Sequence, residues 1–277
     1  MHRLVDTGSV HGHSYVRVAG RADAERVLVV VPGLNDPLKR VGDARWFASL
    51  MAIYLRRYRD RHAVYMLSRP HGLGGARSTA AMARRYEPAI DALATAEGVD
   101  AVDLLGLSLG GFVVQHLAAT RPDRVDRAVL GLAGTELSAA GRERLQRWRA
   151  LARHDRWRPI YTDAYGLVAS GATARALQVA AVGYDLVAAP DHPEDFEASI
   201  DASLDHDGRD ALHDVAVPTL VVGGTRDPFF DERAFRDATR RLADGRLALL
   251  DGVGHDAVLE HPLAFDGAVT RFLYEEP

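Results

Sequence analysis

Val102-Asp103-Leu104-Leu105-Gly106-Leu107-Ser108-Leu109-Gly110-Gly111-Phe112-Val113-Val114-Gln115-His116-Leu117 is the stretch on which the rest of the chain turns. The apolar run Val102–Leu107 reads as a buried strand and Phe112–Leu117 as a helix. Between them, Gly106-Leu107-Ser108-Leu109-Gly110 forms a G-x-S-x-G with a further glycine, Gly111, behind it. Alone the pentapeptide says little; in this context it predicts a tight strand-to-helix turn. Small flanking residues let neighbouring backbones pass close by, and the turn holds Ser108 in a strained conformation with its hydroxyl lifted out. The adjoining helix N-terminus offers unpaired N–H groups to the negative charge that develops in acyl transfer.

Outward from this turn, short Val- and Leu-rich runs recur at Val27–Val31, Ala63–Leu67, Val125–Leu132, Thr219–Val222 and Leu247–Leu250. They read as buried strands of a largely parallel sheet. Trp46, Phe47, Leu50, Met51, Tyr54, Leu55 and Tyr58 share one face of a crossover helix. Thr79–Glu97, with Pro88 marking a kink or break, Asp231–Leu242 and Leu263–Tyr274 are further helices. Strand-helix alternation of this kind implies a doubly wound α/β fold. It stops after Leu132 and resumes at Val217-Pro218-Thr219, so we expect a core of residues 1–134 and 213–277 and a helical cap inserted at 135–212. Within that insertion Arg142, Arg144, Arg147, Arg149, Arg153, Arg156 and Arg158 alternate with Leu145, Trp148 and Leu151, the pattern of a solvated amphipathic face.

A chain of 277 residues, 47% hydrophobic and 26% charged, is expected to fold around one large core and stay soluble. A formal net charge of −4 supplies no broad positive field for nucleic acid. The absence of cysteine excludes disulfides, thiolate catalysis and thiolate-bound zinc. Neither a signal-like apolar run at the start nor a stretch approaching the roughly 20 apolar residues of a membrane span is present, so stable membrane insertion is not expected and a cytoplasmic location is.

A serine hydroxyl needs a base to take its proton, and the base needs a carboxylate to fix its tautomer. Asp227, in Val221-Val222-Gly223-Gly224-Thr225-Arg226-Asp227-Pro228, follows one late strand; His255, in Asp251-Gly252-Val253-Gly254-His255, follows the last. With these residues the chain resembles the α/β-hydrolase superfamily from about Val27 to the C-terminus. Val217–Pro228 is similar to the acid-bearing segment of its esterase-like members, and Gly254-His255 with Glu260-His261-Pro262 and Phe265 to their histidine loop and last helix. Ser68-Arg69-Pro70-His71-Gly72-Leu73-Gly74 resembles the turn after their fourth strand.

The resemblance implies an α/β-hydrolase fold and a cofactor-free serine esterase that acts on a small ester-like substrate through an acyl-enzyme, with Ser108 as nucleophile, His255 as base and Asp227 as acid. It also implies an oxyanion hole built from the backbone N–H groups of Leu34 and Leu109. Members commonly carry His-Gly where this chain has Pro32-Gly33, so other bonds must hold the loop, and Asn35 or Asp36 is the expected support. Carbon–carbon hydrolysis, thioesterase, lactonase, acyltransferase and perhydrolase chemistry use the same constellation, and a non-catalytic ligand-binding role is the remaining alternative. Serine at position 108 argues against the dehalogenases and epoxide hydrolases, whose nucleophile is an aspartate. Glu136, after Val125–Leu132, is the rival acid; Asp256 adjoins His255 too closely to orient its ring and is expected in solvent. His11 and His13 alternate on an early strand, where a metal pair would lack a third ligand; the remaining histidines read as structural, and His206, between Asp205 and Asp207, is the one of them that could contact substrate.

Overall fold

The chain, described here by a computed structural model, is defined over residues 5–22, 24–38, 40–42, 45–73, 75–168 and 189–275. Among the described residues eight strands form one sheet: β1 (Val5–Val10), β2 (His13–Val18), β3 (Arg26–Val31), β4 (His62–Leu67), β5 (Val102–Leu107), β6 (Val125–Gly131), β7 (Thr219–Gly224) and β8 (Gly245–Leu250), in the order β1-β2-β4-β3-β5-β6-β7-β8. β2 runs antiparallel to β1 and β4, and every other pairing is parallel. All six expected strands are present, and the additional β1–β2 hairpin covers one edge.

The period-two alternation of β3 splits the core. Val27, Val29 and Val31 face the side packed by Tyr86, Phe112 and Phe235, while Leu28 and Val30 face Leu55, Phe265 and Phe272. The first set draws on helices α2 (Thr79–Glu97), α3 (Leu109–Thr120) and α8 (Glu232–Arg241), the second on α1 (Arg45–Leu55) and α9 (Pro262–Tyr274). Burial on both faces is why the central strands read as unbroken apolar runs.

Pro88 does not break α2. Arg84 and Pro88 are both exposed, so the carbonyl that loses its intrahelical partner faces water. Ser78 caps the helix by accepting from the Ala81 N–H, and Gly98 ends it at φ 71°.

Between β6 and β7 the described residues form α4 (Ala139–Arg153), α5 (Trp157–Val168), α6 (Pro193–Leu204) and α7 (Arg209–His213). Part of the expected cap, residues 169–188, lies outside the described residues. The arginines of α4 are largely paired within this segment: Arg144 and Arg147 with Asp163 at 3.2 and 2.6 Å, Arg149 with Asp201 at 2.9 Å, and Arg153 with Glu197 at 3.1 Å. Asp195 ties α6 to the core. Buried with Arg40, it accepts from that guanidinium at 2.8 Å and from the N–H groups of Leu73 and Gly72 at 2.7 and 3.1 Å.

Candidate active site

Sheet order reverses between β3 and its two neighbours: the chain moves to β4 on one side, then returns to β5 on the other. The crevice at the carboxyl ends of β3 and β5 is where such a sheet receives a ligand. Pro32-Gly33-Leu34 leaves one strand there, and Ser108 leaves the other.

Ser108 sits at φ 53°, ψ −119°, a conformation costly for a residue with a side chain. Its N–H donates to the Gly131 carbonyl at 2.8 Å. The glycines make the turn possible: a Cβ on Gly106 would collide with the Gly110 carbonyl, and one on Gly110 with the Val31 carbonyl. The Ser108 Oγ lies 2.9 Å from His255 Nε2, and His255 Nδ1 lies 2.7 Å from Asp227 Oδ2. Asp227 Oδ1 in turn accepts the N–H groups of Phe229 and Phe230 at 2.8 and 3.2 Å. The Asp227 side chain is fully buried and the imidazole is flanked by the Phe229 and Phe230 rings, at 4.7 and 5.9 Å. The three residues selected from the sequence thus meet in one hydrogen-bonded row.

Glu136 is elsewhere, between Arg142 at 3.7 Å and Arg209 at 3.6 Å. Asp256 is half-buried rather than solvated, and its carboxyl is pushed up by burial and by the neighbouring Glu260.

The row opens onto a cavity of about 200 Å³ lined by Leu34, Leu109, Phe112, Trp148, Phe229 and Val258 among others. Among the described lining residues the side chains are apolar apart from Asn35, Ser203, Ser108 and His255. Leu109 begins α3, so its N–H has no acceptor within the helix. Gly33 packs against Ser108, its notional Cβ lying 3.4 Å from the serine Cβ, which brings the Leu34 peptide beside Ser108. Of the two expected supports of this loop, Asp36 is buried and accepts the Arg69 N–H at 2.8 Å. The carbonyls of Pro32 and Gly33 are held by the Arg69 guanidinium, at 2.9 and 2.6 Å, a role the sequence motif alone did not disclose.

His11, His13, His71 and His206 take no part in the row. His11 occupies the β1–β2 turn at φ 47° and His13 begins β2, so they do not alternate along one strand and form no metal pair. The His13 ring nitrogens face the carbonyls of Ser68 and Arg85. His71, His192 and Asp195 have ligand atoms within 4.8 Å of one another, but Arg40 donates to both His71 Nδ1 and the Asp195 carboxylate, and that cation occupies the place a metal would need. His206, expected near substrate, lies behind the cavity wall instead. It stacks on Phe112 at 3.7 Å and bonds Thr79 Oγ1 at 2.8 Å and Gln115 Oε1 at 3.1 Å.

Burial pushes the His206 ring down to about 3, with His116 and Arg142 adding to the effect and Asp207 opposing it. An unfolded histidine protonates near 6.5, so acid drives unfolding across the interval between those values. Stability is expected to fall by on the order of 2–3 kcal/mol between pH 7 and pH 4 through this residue. Urea midpoints of the wild type and His206→Gln over that range check it: the variant should show the shallower decline.

A model of the alpha/beta hydrolase family matches residues 28–268. The chain belongs to that family. A pimeloyl-[acyl-carrier protein] methyl ester esterase of Neisseria meningitidis serogroup B is 29% identical over 206 residues, covering 66% of this chain and 75% of that one. The polyketide synthase ThaQ of Burkholderia thailandensis is 38% identical over 76 residues, which are 27% of this chain and only 4% of the synthase. The crystal structure of the enol-lactonase from Burkholderia xenovorans LB400 superposes with TM-score 0.72 at 19% identity, over 98% of this chain and 100% of that one, and bears on the fold alone. Among the described residues no helix is long and apolar enough to cross a membrane.

Proposed function

We propose that this α/β hydrolase cleaves neutral carboxylic esters through an acyl-enzyme. The observation that carries the proposal is the Ser108–His255–Asp227 row at the mouth of an apolar cavity. Ser108 Oγ attacks the ester carbonyl while His255 Nε2 takes its proton, and Asp227 holds the ring and stabilises the imidazolium. The N–H groups of Leu34 and Leu109 receive the oxyanion, and His255 returns the proton to the departing alkoxide. Water then repeats the sequence on the acyl-enzyme and frees the acid.

The wall explains the choice of a neutral substrate. Leu107, Phe112, Leu132, Leu145, Trp148 and Phe229 have nothing to offer a second carboxylate, and burying one without a partner would be costly. Leu137, Leu145, Trp148, Ala164, Leu167 and Ser203 come from residues 135–212, which we therefore read as a cap that selects the acyl group. The ester named for the Neisseria relative supports the bond type.

A cavity of about 200 Å³ lies below the range of roughly 300–1,000 Å³ that holds drug-sized ligands. For p-nitrophenyl esters, kcat/KM is expected to peak at short or medium acyl chains and to fall at least about tenfold for palmitate, one lost fit of about 1.4 kcal/mol. A succinyl half-ester should be a poor substrate. Fluorophosphonate labelling of Ser108 without turnover of any ester would move the assignment to carbon–carbon hydrolysis, acyl transfer or ligand binding.

A further inference from the structure

We propose that Arg69 is a positioning residue for the oxyanion site, aiming the Leu34 N–H by gripping the opposite edge of the same peptide group. The inference rests on the hydrolase assignment above and concerns how its transition state is stabilised.

The Gly33 carbonyl and the Leu34 N–H belong to one rigid plane and point in opposite directions across it. A bond that fixes the carbonyl therefore fixes the donor. Arg69 supplies two such bonds from one planar fork: Nη2 to Gly33 O at 2.6 Å and Nη1 to Pro32 O at 2.9 Å. Both are charge-assisted, and together they restrain consecutive peptides as a single-point donor cannot. Polarisation adds to geometry. A cation on the carbonyl oxygen draws electron density through the amide and makes the Leu34 N–H a stronger donor.

The setting of Arg69 fits this role. Its side chain is fully buried, as is nearly all of Asp36, the acid 3.8 Å away. A buried guanidinium is costly to desolvate, and a neutral donor could tie down a surface-style turn more cheaply. The base of the fork is itself held: Asp36 accepts the Arg69 N–H at 2.8 Å, and Arg40 Nε donates to the Arg69 carbonyl at 2.9 Å. Pro32 has no N–H of its own, and although the Asp36 N–H also reaches Gly33 O, at 3.2 Å, Arg69 is the donor that brings a charge and joins that carbonyl to the one of Pro32.

The test compares wild type, Arg69→Met and Arg69→Lys for ester kinetics, Ser108 labelling by a fluorophosphonate, and affinity for a trifluoromethyl ketone, whose adduct carries an oxyanion. We expect Arg69→Met to lower kcat by about 10²–10³-fold, the loss seen when one oxyanion donor is removed, with KM nearly unchanged. Affinity for the ketone should fall in parallel, while affinity for the product acid, which lacks the tetrahedral oxyanion, should hold. Arg69→Lys keeps the charge but grips one carbonyl, and should show a smaller loss in the same direction. If Arg69→Met does not fold, Arg69→Lys decides alone: unchanged kcat and ketone affinity would overturn the proposal. So would losses that appear in KM only. Failure of the wild type to label at Ser108 would instead overturn the hydrolase assignment, which keeps the two failures distinct.

Discussion

Ser108→Ala is expected to lower ester turnover by roughly 10⁴–10⁶-fold while leaving the fold intact, because the substitution removes the attacking oxygen and little else. The Cβ remains, so the turn keeps its shape and its strain at φ 53°; the pocket walls and both backbone N–H groups are untouched. Residual activity above the uncatalysed rate should survive, since the oxyanion donors and the pocket still act on bound substrate. Incubation with a fluorophosphonate followed by intact mass measurement gives the cleaner readout: the wild type should gain one phosphonyl group and the variant none. Thermal midpoints of the two should agree closely. A variant that retained turnover would show that the reaction does not pass through Ser108, and the ester hydrolase proposal would fall.

Chain order made Ser108, Asp227 and His255 legible because each stands in the loop that leaves an apolar run, and strand ends are where a parallel sheet presents its chemistry. The central strands were legible for a related reason: burial on both faces leaves a continuous apolar signal. β1 was not, since Asp6-Thr7-Gly8-Ser9 is exposed and held by backbone pairing to β2, which needs no side-chain pattern. Pro88 misled because the cost of a helical proline depends on whether the orphaned carbonyl meets water, and that is a tertiary fact.

Arg69 escaped for a deeper reason. Its acceptors are main-chain carbonyls of Pro32 and Gly33, more than thirty positions earlier, and a carbonyl carries no residue identity to read. His206 failed in the opposite sense. Its acidic neighbours suggested a polar, accessible site, yet the ring turns inward behind Phe112.

Asp227→Asn is expected to cost about 10⁴-fold in kcat, and the geometry shows why an isosteric change should be so damaging. Asp227 Oδ1 accepts two backbone N–H groups, from Phe229 and Phe230, so the amide oxygen of an asparagine is pinned to that side. Its NH₂ must then face His255 Nδ1, where Asp227 Oδ2 stood at 2.7 Å. An NH₂ group can only donate, so Nδ1 becomes the acceptor and the ring proton moves to Nε2. The imidazole would donate to Ser108 Oγ instead of accepting its proton, and the imidazolium would lose its counter-charge. Glu136→Gln is the matched control, because Glu136 pairs with Arg142 and Arg209 and its removal should leave kcat within about twofold, an exposed ion pair contributing under about 1 kcal/mol. Steady-state kinetics of the two variants at pH 7–8, with folding checked by circular dichroism, decides between the acids. A loss that followed Glu136 and spared Asp227 would reassign the carboxylate, and with it the tautomer argument that links the Phe229–Phe230 turn to the chemistry at Ser108.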